Sequence, residues 1–69
     1  MLNNMNKIAK IANKSGFSIS EETADKVVYK ADVVDSPDAG PLKKVLRDSY
    51  QKTVTTKTDG LQVFVIAEK

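Results

Sequence analysis

The chain has 69 residues, 41% of them hydrophobic and 29% charged, a net charge of +2, and neither cysteine nor histidine. That length holds one domain, residues 1–69, in the size range where a single core only just supplies enough stability to fold. Without thiols or imidazoles, disulfide staples, the common zinc sites and the usual Ser–His or Cys–His nucleophile pairs are excluded.

The composition is that of a globular chain rather than a disordered one. Its longest apolar run, Val63 to Ala67, falls far short of the ~20 residues of a membrane span. The N-terminus has no signal-peptide hydrophobic stretch, so a soluble, cytoplasmic protein with no membrane partner is expected. Charge is unevenly spread: residues 1–19 carry +3, residues 20–40 carry −4 and residues 41–69 carry +3. A basic, acidic, basic profile argues against reading the whole molecule as a polycation.

In chain order, the first predicted element is a helix ending at Gly16. Met5, Ile8, Ile11 and Ala12 share one face at 100° per residue, while Lys7, Lys10 and Lys14 cluster on the other. Asn3 or Asn4 is suited to cap its start and Gly16 to terminate it in a left-handed conformation.

Residues 17–35 admit two readings. Ser18 and Glu21 have the spacing of a capping box, and Ala24, Val27, Val28 and Ala31 recur at helical intervals. Against this, Phe17 and Ile19 alternate with serines, and Val27, Tyr29, Ala31 and Val33 alternate with Val28, Lys30, Asp32 and Val34 in a segment rich in β-branched residues.

Ser36 to Gly40 reads as a turn leading into a second helix from about Pro41 to Gln51, with proline at the first helical position. Leu42, Val45, Leu46 and Tyr50 form its apolar face; Lys43, Lys44, Arg47 and Asp48 form the wet one. Thr53 to Thr56, the Asp59-Gly60 turn and Leu61 to Ala67 then read as a hairpin.

Two features favour strands in 17–35. The last strand is apolar on both faces, Leu61, Val63, Val65 and Ala67 on one and Phe64 and Ile66 on the other, which a two-stranded wing would leave wet. The chain also resembles itself at an offset of 34, with Ile8, Ile11 and Ala12 matching Leu42, Val45 and Leu46, Asp25 matching Asp59, and Val27, Tyr29 and Ala31 matching Leu61, Val63 and Val65. The favoured architecture is therefore α+β, in the order αββαββ, a four-stranded antiparallel sheet with two helices on one face. A helix at 20–34 would instead give three helices and a C-terminal hairpin, the order of a winged helix-turn-helix.

Segment Met5 to Ser18, MNKIAKIANKSGFS, resembles the opening helix and turn of the bacterial histone-like HU family. That family continues with a second long helix and a basic β-arm. This chain is too short, and too acidic from 20 to 40, to supply them, so the resemblance carries no function across.

Catalytic chemistry has few reagents here, and the chain has little room for both a core and a substrate pocket. The Asp32, Asp35, Asp38 spacing does not match a calcium loop, and Ala39 to Lys43 has a proline where a phosphate loop needs N–H donors. No enzyme activity, cofactor, metal or small-molecule substrate is expected. The leading expectation is a binding or regulatory module acting by protein contact, with itself or as a modulator of a larger protein, through an apolar patch of Val28, Tyr29, Phe64 and Ile66. A standalone gene of this size would suit a phage or mobile-element regulator. The alternative is a nucleic-acid-binding regulator in which Lys43, Lys44 and Arg47 of the basic helix 41–52, with Lys57 near a wing tip, contact phosphates.

Overall fold

A computed structural model describes residues 3–49 and 52–69. Helix α1 (Asn3–Lys14) leads into strands β1 (Ser18–Glu22) and β2 (Lys26–Asp32). A 3₁₀ turn (Val33–Asp35) follows, then helix α2 (Ala39–Asp48) and strands β3 (Thr53–Asp59) and β4 (Gln62–Glu68). The strands form one antiparallel sheet in the order β1-β2-β4-β3. The αββαββ reading holds, and the winged-helix alternative fails because residues 20–34 hold strands and a 3₁₀ turn rather than an α-helix.

Local chemistry explains the chain reversals. At the end of α1 the Phe17 N–H donates to the Ala12 carbonyl at 2.8 Å and the Gly16 N–H to the Asn13 carbonyl at 3.2 Å. With Gly16 at φ +89°, these bonds make a Schellman motif, and its customary apolar contact joins Phe17 and Ala12, both buried. Helix α2 starts two residues earlier than the sequence predicts. Asp38 caps it by accepting from the Gly40 N–H at 3.0 Å, which puts Pro41 at the third helical position, where its missing N–H still removes no helical bond. Helix α2 ends at Asp48, with Ser49 outside the helix as its C-cap, short of the predicted end at Gln51; Tyr50 and Gln51 themselves lie outside the described residues.

The β3–β4 reversal is a two-residue turn of Gly60 and Leu61, closed by the Asp59–Gln62 pair. Only Gly60 of the two has positive φ, +63°, which is the II′ arrangement. The β1–β2 reversal instead uses the Thr23 hydroxyl, which accepts from the Lys26 N–H at 3.1 Å. That side-chain bond explains how a turn lacking glycine closes.

The core lies between the helices and one face of the sheet. Ala12, Leu42, Val45 and Leu46 from the helices meet Phe17, Tyr29, Ala31, Val65 and Ala67, with Val27, Val54 and Val63 partly buried against them. The pairing of the central strands is symmetric about the Tyr29–Val65 pair, Lys26 facing Glu68 at one end as Asp32 faces Gln62 at the other. The internal match of 34 residues suits the helices, whereas the strands correspond at 36. Tyr29 and Ala31 then align with Val65 and Ala67, all buried, and Val27 and Val28 align with Val63 and Phe64, all half-buried.

Candidate functional site

No described residue covers the side of the sheet away from the helices, and the register of the ladders defines the surface of this open face. Because side chains alternate, Val28 and Ile66, paired across β2 and β4, point away from the core next to the inward Tyr29 and Val65. Phe64 sits between Lys30 of β2 and Lys57 of β3, each its direct ladder partner, with Ser18 completing that row on β1. The neighbouring row reads Glu21, Val28, Ile66, Thr55. Beyond these lie Asp32, Gln62 and Asp59 at one end and Lys26, Glu68 and Thr53 at the other.

Val28, Phe64 and Ile66 are half-buried even without a covering layer, because exposed Lys30, Lys57, Thr55 and Glu21 surround them. Lysine stems shield apolar surface in this way while keeping their charged ends wet. The chemistry of the face is thus an apolar centre of three side chains within charges of both signs. Such a surface suits contact with another folded surface of mixed charge.

One predicted patch member does not belong. Tyr29 is 4% exposed and points into the core, since it is adjacent in sequence to Val28 and therefore on the other face. Burial and, secondarily, the nearby Glu22 carboxylate raise its phenol above the ordinary value of 10.0.

The predicted phosphate-contacting set divides as well. Lys44 and Arg47 are exposed on α2 and Lys43 is half-buried there, but Lys57 is on the open sheet face, on the opposite side of the molecule. In its place the fold brings exposed Lys7, Lys10 and Lys14 of α1 into the same layer, since α1 and α2 pack against each other over the core. Against these six cations the helices carry Asp48 alone, a net +5, so the strands, turns and loops carry −3 of the total +2.

A cleft of about 170 Å³ opens on the covered side, between α1 and the β1–β2 turn, lined among others by Ile8, Ala9, Ile19, Glu22 and Tyr29. Leu46 of α2 also reaches its lining, and every residue of the neighbouring five-residue β1 is exposed. Its volume is below the ~300–1,000 Å³ of typical small-molecule pockets. Among the described residues no group of three or more Asp or Glu side chains is placed to hold a metal ion, and no helix is long and apolar enough to cross a membrane.

Sequence reasoning missed two features. The flanking of Phe64 by Lys30 and Lys57 depends on register between strands far apart in the chain, which no local pattern specifies. The exposure of Val33, Val34 and Leu61 (40%, 84% and 81%) was obscured because Val33 and Val34 extend an apparent strand and Leu61 heads another. Only the bond from the Val33 N–H to the Leu61 carbonyl, 2.8 Å, reveals that they meet at the hairpin end of the sheet.

No family model, no curated protein and no solved structure matches this chain.

Proposed function

We propose that this protein is a non-enzymatic binding module that acts by protein contact across its open sheet face, with Phe64, Val28 and Ile66 at the centre of the contact. The observation that supports this reading most is the combination of half-buried apolar side chains on both central strands with a helical layer confined to the other side. An isolated sheet face of this kind gains by excluding water, at roughly 25 cal/mol per Å² of apolar surface buried.

The test is site-specific photocrosslinking from position 64. A benzophenone side chain replacing Phe64 should yield discrete protein adducts in the cells the protein comes from, and the same group at Lys44 should yield none of those bands. No protein adduct from position 64 would end the reading.

A second reading is favoured by the separate polarisation of the molecule. The net +5 helical layer has the sign and the spread over two adjacent helices to neutralise nucleic-acid phosphates. In that reading Lys44→Glu and Arg47→Glu, with Lys10→Glu, reduce both affinity for duplex DNA or RNA and its salt dependence, while Lys57→Glu leaves them unchanged. Absence of binding to either nucleic acid at low salt would eliminate it.

A further inference from the structure

We infer that the occupant of the open face is a second copy of this chain, packed sheet against sheet to give a symmetric dimer with the helices outermost. The inference rests on the protein-contact reading above and adds the identity of the partner and the alignment of the two sheets.

The alignment follows from the ladder at the centre of the sheet. Consider a two-fold axis above the seam between β2 and β4, parallel to the strands. It carries β2 over the β4 of the second copy without shifting it along the strand direction. Every outward side chain of β2 then meets the copy of its own ladder partner, and those partners are Lys26 with Glu68, Val28 with Ile66, Lys30 with Phe64, and Asp32 with Gln62.

Each of these juxtapositions is favourable: an ion pair, an apolar contact, a cation over an aromatic ring, and a carboxylate facing an amide donor. Symmetry repeats all of them, as an isologous interface requires. A two-fold perpendicular to the strands and centred on the Tyr29–Val65 row keeps an ion pair (Lys26 with Asp32), an apolar contact (Phe64 with Ile66) and a carboxylate facing an amide (Glu68 with Gln62), but it seats the Lys30 ammonium on the Val28 methyls instead of on the Phe64 ring. The strand-parallel axis is therefore the one the side chains select.

Charge also disfavours a polyanionic occupant. The outward positions carry Lys26, Lys30 and Lys57 against Glu21, Asp32, Asp59 and Glu68, a slightly negative face with both signs intermixed. Such a face repels a phosphate backbone and matches its own copy.

Size sets the expected strength. Four strands about 4.8 Å apart and seven residues at about 3.3 Å give a face of roughly 440 Å², or about 900 Å² over two copies. That is below the ~1,200–2,000 Å² of stable complexes, so a weak, readily dissociating dimer is expected rather than a permanent one. Packed sheets cross at about −30°, so the outer rows diverge and the central Val28–Ile66 and Lys30–Phe64 contacts carry most of the interface.

The deciding experiment is isotope-filtered NMR on a mixture of labelled and unlabelled full-length chain at millimolar concentration, alongside sedimentation from micromolar to millimolar. Intermolecular NOEs between Val28 and Ile66 methyls, with the sedimentation coefficient rising with concentration, are the expected result. Phe64→Lys should abolish the rise with the far-ultraviolet spectrum unchanged. Lys26→Glu and Glu68→Lys should each weaken the dimer severalfold, and the two together should restore it. A chain that stays monomeric to millimolar concentration overturns the inference, as does a dimer whose intermolecular NOEs join Ile66 to Phe64 without Val28. Should Phe64→Lys fail to fold, the NOE pattern of the unmodified chain decides alone. A monomer that still gives photocrosslinked adducts from position 64 would overturn only the self-association, whereas a monomer with no adducts would remove the protein-contact reading too.

Discussion

The two faces of the central strands carry similar side chains and meet different fates. On β4, Val65 and Ala67 are fully buried beneath the helices, while Phe64 and Ile66, no less apolar, remain half-buried on the open side. On β2 the same division separates Tyr29 and Ala31 from Val28. Strand composition therefore does not decide which face becomes the core; the helices do, by presenting Leu42, Val45 and Leu46 to one side only. The apolar residues left over are the ones the proposed contact would use.

The largest test of this contrast compares substitutions on the two sides. Leu46 is 1% exposed, so Leu46→Ala should cost about 3 kcal/mol in urea denaturation, a large part of the stability of so small a domain. Ile66→Ala should cost nearer 1 kcal/mol when measured at concentrations where the chain is monomeric. Equal costs at low concentration would show that the open face is covered within the single chain, and would break the comparison.

The cover itself depends on the reversal that ends α1. Gly16 has φ +89°, a conformation that costs an L-residue roughly 1–2 kcal/mol, and a Cβ added there would touch the Pro37 ring at 3.6 Å without clashing. Gly16→Ala should therefore destabilise by about that amount through backbone strain alone, seen as a lowered Tm with native spectra retained.

The smallest effect probes the covered side by pH. The Tyr29 phenol titrates above 10 in the folded protein, so the contribution of its neutral form is present below pH ~10 and is lost as pH rises through the folded value. Tyr29→Phe should match the parent in stability at neutral pH, to within about 0.5 kcal/mol, and lose less of it above pH 10. Parallel stability curves across that range would mean that Tyr29 is not buried in its neutral form.

Much of the architecture was legible because it rests on local chemistry. The 3.6-residue spacing of Ile8, Ile11 and Ala12 and of Leu42, Val45 and Leu46 identified both helices. Gly16 and Gly60 marked reversals that need positive φ, and the last strand's two apolar faces together with the internal match tipped residues 17–35 away from a competing helical period. Turn details were less legible, since a hairpin containing Asp59-Gly60-Leu61 closes equally well on paper with its centre one residue earlier. The Thr23 turn gave no glycine signal, because a side-chain hydroxyl does the work that a left-handed backbone does elsewhere.

The candidate site was legible only in part. Alternation alone places Val28 opposite Tyr29, so the predicted patch was internally inconsistent, and strand periodicity would have removed Tyr29 from it. Lys57 was grouped with the α2 cations by a fold that the chain does not adopt.

By itself, then, the sequence determined the two helices, their apolar faces and the C-terminal hairpin, because those follow from spacing along a few consecutive residues. The tertiary structure alone decided which strands are neighbours, that Phe64 lies between Lys30 and Lys57, and that the α1 and α2 cations share one layer. These depend on pairing residues tens of positions apart, which is chosen by the packing of the whole core rather than by any local stretch of chain.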